Sequence, residues 1–151
     1  MKRKSAKTLR AECTHLWGLV VRNRDNHTCQ WCGKPGNQPH HIVSKAQGNI
    51  ARFDVDNGIT LCFYCHMRRI QREPLEFAEF VHRWLAARKL DYDGMRKKYQ
   101  QIQKLGGADY NILKNSLRNA LLRRQTPGPK GPGLGKSSVS PHPSYTKGIV
   151  L

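Results

Sequence analysis

Apolar residues near the N-terminus recur every three or four positions between Thr8 and Arg24. This spacing places them on one face of an amphipathic helix, so the pattern predicts a helix over 8–24. The apolar stripe consists of Leu9, Cys13, Leu16, Trp17, Val20 and Val21. Because Cys13 lies within this stripe, we interpret it as a buried thiol rather than a metal ligand.

Two short apolar runs in the following segment predict a pair of β-strands. The first is His40–Val43, which comes after a turn rich in Pro and Gly, and the second is Gly58–Leu61. The polar stretch Ser44–Asp56 between them predicts a loop. The residues from Cys62 to about Gln71 then predict a helix that carries His66.

The C-terminal half of the chain contains three further apolar stripes that predict helices. The first helix is expected over Pro74–Lys89, because proline suits the first turn of a helix. The second is expected over Asp91–Leu105, where the aspartate can act as the cap. A last helix starts at Asp109 or Asn111. Its core-facing positions are expected to be Ile112, Leu117, Leu121 and Leu122.

The length of 151 residues leaves room for one compact domain with appendages. The patterns predict a basic arm at 1–8, a core at 9–73, a basic helical extension at 74–125 and a tail at 126–151. Gly, Pro and Ser make up 14 of the 26 residues of the tail, so we expect the tail to be disordered.

No targeting signal is evident in the sequence. No apolar run approaches the ~20 residues that cross a bilayer, and the basic N-terminus leads into no apolar stretch. We therefore expect an intracellular, cytoplasmic protein, located in the host cytoplasm if a phage encodes it. In a reducing compartment, the five cysteines indicate metal ligands in preference to a disulfide framework.

The formal net charge of +17 indicates a polyanionic partner, and a solvated surface that serves solubility is the alternative. The charge is uneven, because residues 29–87 carry a net +2 whereas 1–28 carry +5 and 88–125 carry +7. The basic flanks can therefore straddle a DNA backbone, and we expect that binding to weaken steeply with salt.

Two Cys-x-x-Cys pairs lie 30 residues apart, at Cys29/Cys32 and Cys62/Cys65. Structural zinc favours four tetrahedral ligands supplied as paired knuckles, so the spacing predicts one zinc ion held by all four thiolates. Such a cage pins together the two ends of the segment and brings the polar residues between them into a small space.

Polar residues follow a fixed order inside and beside these pairs: His40-His41, then Asn57, then His66. Together with the cysteines, this set resembles the HNH endonuclease family. The resemblance implies an α+β fold with a ββα-metal (HNH) core and a structural zinc, flanked by an N-terminal helix and a C-terminal helical extension. The extension makes the chain loosely similar to phage recombination nucleases of the NinG type.

The resemblance implies a catalytic or metal-binding role for each of these polar residues. His41 is the expected general base, which deprotonates the attacking water. His40 and His66 are the expected ligands of a catalytic divalent ion, and the small number of protein ligands suits Mg²⁺ or Mn²⁺. Asn57 is similar to the asparagine that braces the base-bearing loop and, in some members, meets the metal.

Two features of the motif bear on these roles. Neighbours on a regular strand point to opposite faces, so His40 and His41 share one site only if the strand becomes irregular there. The alternative for His40 is a packing role. The chain also departs from common family patterns, with Ile70 where some members have a further histidine and Ser44 where a proline is usual.

Three basic residues near the motif are predicted to contact nucleic acid: Arg68, Arg69 and Lys45. Arg69 occupies a place where the family often has a basic residue, which indicates a phosphate contact. A solvated helix face is the alternative for this arginine.

The sequence thus predicts a metal-dependent HNH DNA endonuclease that hydrolyses phosphodiester bonds to a 5′-phosphate and a 3′-hydroxyl. One alternative is a non-catalytic zinc-stabilised module that binds nucleic acid, and another is a scaffold protein of phage or mobile-element machinery. The C-terminal helices can grip DNA, hold a protein partner or form a homo-oligomer. The form of the DNA substrate and its cleavage pattern stay open.

Overall fold

The computed structural model describes residues 4–100 and 104–123 of the chain. Part of the predicted basic arm, residues 1–3, and the whole predicted tail at 126–151 lie outside these described residues. In order, the elements are α1 (Ala6–Arg24), β1 (Gln38–His41), a 3₁₀ turn (Lys45–Gln47), α2 (Asn49–Phe53), β2 (Gly58–Leu61), a π-helical turn (Cys65–Arg69), α3 (Ile70–Arg72), α4 (Pro74–Ala87), α5 (Tyr92–Tyr99) and α6 (Gly107–Arg123).

The two strands form an antiparallel pair that carries the histidine motif at one end. In their register His40 faces Ile59, and His41 faces Gly58 at the start of β2. The segment after β2 turns into the π-helical turn, so two strands and a helical segment follow one another as in a ββα unit. The predicted α+β fold, with helices before and after this unit, is confirmed.

Helix α1 begins two residues earlier than predicted and covers the strand pair. Ser5 caps its N-terminus, because the side-chain oxygen accepts a hydrogen bond from the backbone N–H of Thr8 at 3.2 Å. Near its other end the helix lies directly on β2. A Cβ atom at Gly58 would stand 2.9 Å from the ring of Trp17 and still closer to Val21, so only glycine permits this approach.

A buried ion pair fastens the C-terminal end of α1 to β2. Arg24 and Asp25 bind each other through two hydrogen bonds of 2.8 and 3.0 Å. The guanidinium also donates to the carbonyls of Val55 and Gly58, and the Asp25 carboxylate accepts from the backbone N–H of Thr60 at 2.8 Å. Because these groups satisfy one another, the pair can be buried without leaving an uncompensated charge.

Two hydrophobic clusters stabilise the fold. One joins the strands and the cysteine segment to α4 and α5, with Leu85 and Tyr99 almost completely buried. The other joins α1 to α2 and α6, with Phe53 packed edge-on against Tyr110. Cys13 is buried in this second cluster, and its thiol donates to the carbonyl of Tyr110 at 3.4 Å. The helices of 74–125 therefore pack against 9–73, although the boundary between these segments stays a prediction.

Several predictions about elements were wrong. The segment predicted as the loop 44–56 contains the 3₁₀ turn and α2. The helix predicted to reach Leu105 ends at Tyr99, and Lys104 and Leu105 are not helical, whereas residues 101–103 of that prediction lie outside the described residues. Ile112 and Leu122 on α6, predicted to face the core, are 70% and 63% exposed. The neighbouring helix α1 covers only the opposite face of α6, which carries Leu117.

Candidate functional site

The four cysteines of the two knuckles converge on one point. Their Sγ atoms all lie within 4.8 Å of one another, and the Sγ atoms of Cys32 and Cys62 are 3.7 Å apart. A tetrahedral zinc ion with Zn–S bonds of about 2.3 Å requires sulfur separations of about 3.8 Å. All four thiols are free of disulfide bonds, so this donor set fits a structural zinc ion.

Each knuckle is shaped by backbone hydrogen bonds around its thiols. In the first, the N–H of Gly33 donates to the carbonyl of Cys29 at 2.8 Å, and Gly33 adopts the left-handed conformation with φ of 73°. In the second, the N–H of Cys65 donates to Sγ of Cys62 at 3.4 Å. The backbone N–H of His66 then bonds to the carbonyl of Cys62, so the cage positions this histidine.

His40 and His66 form a pair of neighbouring imidazoles at the side of the cage. Their ring centroids lie 5.1 Å apart with the rings nearly perpendicular, and Phe77 of α4 packs edge-on against His40. The Nδ1 atom of His66 is buried and has no hydrogen-bond partner. An orphaned buried nitrogen beside a second imidazole fits a divalent cation as the absent partner.

His41 lies in different surroundings from its neighbour on the strand. Its ring stacks on Trp17 with the centroids 3.9 Å apart and the planes within 10°. Its Nε2 atom lies 2.9 Å from the backbone carbonyl of Arg52. Because a carbonyl oxygen only accepts, Nε2 carries the proton and Nδ1 is left with a free lone pair.

The three imidazoles meet in one cleft that is open to solvent. Its volume is about 500 Å³, and its walls are formed by Pro39, His40, His41, Ile42, Ser44, Lys45 and His66. The two histidines at the end of β1 therefore line one cleft although they have different neighbours. The cleft has room for a water molecule and a phosphodiester group.

Burial keeps these imidazoles neutral near pH 7. It lowers the pKa of His40 to about 4, with a further contribution from the neighbouring His66. It also lowers the pKa of His41 and of His66, and for His41 the hydrogen bond to Arg52 acts against this shift. Neutral imidazole is the form that accepts a proton or binds a metal ion.

Asn57 is completely buried and holds the segment that follows β1. Its Oδ1 accepts from the backbone N–H of Val43 at 2.7 Å. Its Nδ2 donates to the carbonyls of Val43 and Ala51 at 2.8 and 2.7 Å. Both polar atoms of the Asn57 side chain are thus bonded to the backbone of the segment between the strands. This is the arrangement expected of a residue that braces that segment.

The comparisons with known proteins identify the same stretch of chain. Residues 29–72 match the HNH endonuclease family model. The match begins at the first cysteine of the cage and includes the three histidines of the cleft and Asn57, so the resemblance predicted from the motif is confirmed. No curated protein and no solved structure matches the chain. We call residues 29–72 the HNH segment.

The basic residues predicted to bind nucleic acid occupy three different settings in the HNH segment. Lys45 is exposed and lines the histidine cleft, and Arg68 is exposed on the π-helical turn. Arg69 donates to the Glu73 carboxylate at 2.7 Å, and its guanidinium lies 4.0 Å from the centre of the Trp31 ring. Arg69 therefore lies beside the cage of four cysteines, and its charge is paired with that of Glu73.

Sequence reasoning missed two residues that hold the predicted base. Trp17 stacks on His41 and anchors its own ring by donating from Nε1 to the carbonyl of Asp54 at 2.9 Å. Arg52 supplies the carbonyl that fixes the His41 tautomer. No local signal in the sequence marks either residue, because one belongs to an apolar helical stripe and the other acts through its backbone.

Two features are absent from the described residues: a second cluster of metal-ligand side chains and a membrane-spanning helix. Among residues 4–100 and 104–123, the four cysteines form the only group of three or more side chains that could hold a metal ion. The three imidazoles of the cleft therefore belong to no such group of His, Cys, Asp and Glu side chains. Within the same residues, no helix is long and apolar enough to cross a membrane.

Proposed function

We propose that this protein is a metal-dependent HNH endonuclease that hydrolyses phosphodiester bonds in DNA, with His41 as the general base. The observation that carries the proposal is the free Nδ1 of His41, in a cleft that also holds the His40 and His66 imidazoles. A base with an open lone pair beside a cation site is the arrangement that hydrolysis of a phosphodiester requires.

In the proposed reaction, His41 takes a proton from a water molecule, and the water oxygen forms a new bond to phosphorus. The bond between phosphorus and O3′ breaks, and O3′ takes a proton from solvent water to become the 3′-hydroxyl, while His41 releases its proton to solvent. The products are a 5′-phosphate and a 3′-hydroxyl. His41 keeps its orientation throughout, because Arg52 and Trp17 hold its ring from two sides.

His40 and His66 would hold the divalent ion, which supplies Lewis-acid stabilisation of the charge that develops on the phosphate oxygens. Both imidazoles are neutral and lie close together, as metal ligands must. We retain Mg²⁺ or Mn²⁺ as the proposed ion. Of the two, Mn²⁺ suits nitrogen ligands better, because Mg²⁺ prefers oxygen. Asn57 would brace the loop. Because both of its polar atoms are bonded to the buried backbone, we do not propose it as a ligand of the ion.

One observation favours a second candidate, a non-catalytic zinc module that binds DNA. Within the described residues, the imidazoles of the cleft belong to no group of three or more His, Cys, Asp or Glu side chains that could hold a metal ion. Such a module would keep the cage and the net charge of +17 but would have no use for the geometry of His41.

A plasmid-nicking assay separates the two candidates. Supercoiled plasmid is incubated with Mg²⁺ or Mn²⁺ and with the wild type, His41→Ala, or His15→Ala, which removes an exposed histidine of α1. We expect cutting by the wild type and by His15→Ala but not by His41→Ala, while all three retain DNA on a filter. Retention without cutting by any of them would establish the binding module, and cutting by His41→Ala would assign the base elsewhere.

A further inference from the structure

Besides its backbone carbonyl, which binds His41, Arg52 has a side chain whose position matters for ligand binding. Its side chain projects from α2, and its Nε atom is buried with no hydrogen-bond partner. A buried guanidinium nitrogen without an acceptor costs free energy, and the charge of this group has no partner to offset that cost. Arg52 as a whole is only half-buried and Nε is the one unpartnered nitrogen that is enclosed, so the terminal nitrogens can reach an anion. Phosphate oxygens are ligands that guanidinium groups bind especially well.

The Asp and Glu carboxylates that the structure describes do not supply that partner. In the described part of the chain, the ion pairs engage Glu12, Asp25, Asp54, Asp56 and Glu73 with other basic residues. None of these pairs includes Arg52, Arg10 or Lys45. Asp54, two residues after Arg52, is bound instead by Lys98 at 2.7 Å. Among residues 4–100 and 104–123, no ion pair therefore neutralises the positive charge beside His41.

Arg10 on α1 and Lys45 in the cleft are two more cations on this side of the molecule. Arg10 is exposed on α1, seven residues before Trp17 and thus on the same face of that helix. This separation corresponds to a rise of about 10 Å along the helix axis between Arg10 and Trp17. Lys45 lines the cleft itself. Consistent with this grouping, burial and then the charge of Arg10 lower the pKa of Arg52.

We propose that Arg52 and Arg10, continued by Lys45 in the cleft, form a binding site for the DNA backbone phosphates that flank the scissile bond. The site would hold the strand on the α1 side of His41. The distance of about 10 Å along α1 covers about three base-pair steps, at 3.4 Å per step. The location relative to the scissile phosphate rests on the proposed function, whereas binding of phosphates by this cluster does not.

The test measures DNA binding without cleavage. A fluorescent duplex is titrated with protein in buffer that contains neither added divalent ion nor chelator, so that the zinc cage stays loaded. The variants are Arg52→Gln, Arg10→Gln and the double variant, and the affinity is measured at several salt concentrations. Lys34→Gln removes an equal charge from an exposed position in the first knuckle, to which no DNA contact is assigned, and is the matched control.

Each lost phosphate contact should reduce the slope of log K against log salt by about 0.9, and the double variant by about 1.8. We expect Lys34→Gln to leave the slope within about 0.3 of the wild type, because a charge that contacts no phosphate releases no bound counterion. Arg52→Lys keeps the charge and should restore the slope. This restoration distinguishes a phosphate contact from a disturbed fold, which circular dichroism would also report.

The proposal is overturned if Arg52→Gln and Arg10→Gln change the slope no more than Lys34→Gln does. Its failure is separate from failure of the nuclease function. If the wild type leaves the plasmid intact and the Arg52 and Arg10 variants reduce the slope, the phosphate site belongs to a DNA-binding module without nuclease activity. If the wild type cuts the plasmid and these variants leave the slope unchanged, the nuclease function is supported and the phosphate site is refuted.

Discussion

Replacing Asn57 by alanine should destabilise the protein more than most single substitutions. The change removes three hydrogen bonds of 2.7–2.8 Å and leaves the N–H and carbonyl of Val43 and the carbonyl of Ala51 buried without partners. An unsatisfied buried group costs about 1–3 kcal/mol, and entry of water can offset part of that cost. We therefore expect the free energy of unfolding to fall by about 3–5 kcal/mol.

Urea denaturation followed by tryptophan fluorescence measures this loss. With an m-value of about 1.5 kcal/mol/M, the midpoint should shift by about 2–3 M. Asn115→Ala, at an exposed position on α6, is the matched control and should change stability by no more than about 0.5 kcal/mol. Asn57→Asp retains the acceptor of Val43 but loses both donated bonds, so it should also destabilise. A loss below about 1 kcal/mol in Asn57→Ala would refute the bracing role.

Three further predictions concern the cage, the ion pair and the support of the base. Purified protein should contain one zinc per chain with four sulfur neighbours near ~2.3 Å by X-ray absorption, and nitrogen or oxygen neighbours would contradict the cage. Arg24→Met should cost about 3–5 kcal/mol because it leaves Asp25 buried and unpaired, and Arg24→Met with Asp25→Asn should recover part of that loss in urea denaturation. Trp17→Phe keeps an aromatic ring beside His41 but loses the bond to Asp54, so plasmid cutting should slow by about ten-fold, equivalent to ~1.4 kcal/mol, while DNA affinity is unchanged. Equal losses of cutting and affinity would instead indicate a general structural defect.

The parts of the fold that could be predicted from the sequence are those set by local pattern. The apolar period of α1 and the run Gly58–Leu61 each gave elements close to those observed. The spacing of the two Cys-x-x-Cys pairs predicted the convergence of four thiols, because few arrangements other than a metal cage use such knuckles.

The parts that could not be predicted depend on contacts distant in sequence. Helix α2 has only five residues and no apolar period of its own, and tertiary contacts such as the burial of Ala51 stabilise it. Adjacent charges such as Arg24 and Asp25 usually lie on the surface, and only the approach of β2 to α1 buries this pair. The same approach brings Trp17 onto His41, although 24 residues separate them in the chain.

Anomalous X-ray diffraction from crystals soaked in Mn²⁺ tests the central claim most directly. The claim is that a cage of four thiolates holds three imidazoles around one cleft in which a divalent ion can bind. Data collected at the manganese and zinc edges should show zinc within the cysteine cage and manganese bound to a nitrogen of His40 and a nitrogen of His66. Manganese elsewhere, or no manganese peak beside these histidines at saturating concentration, would contradict the account.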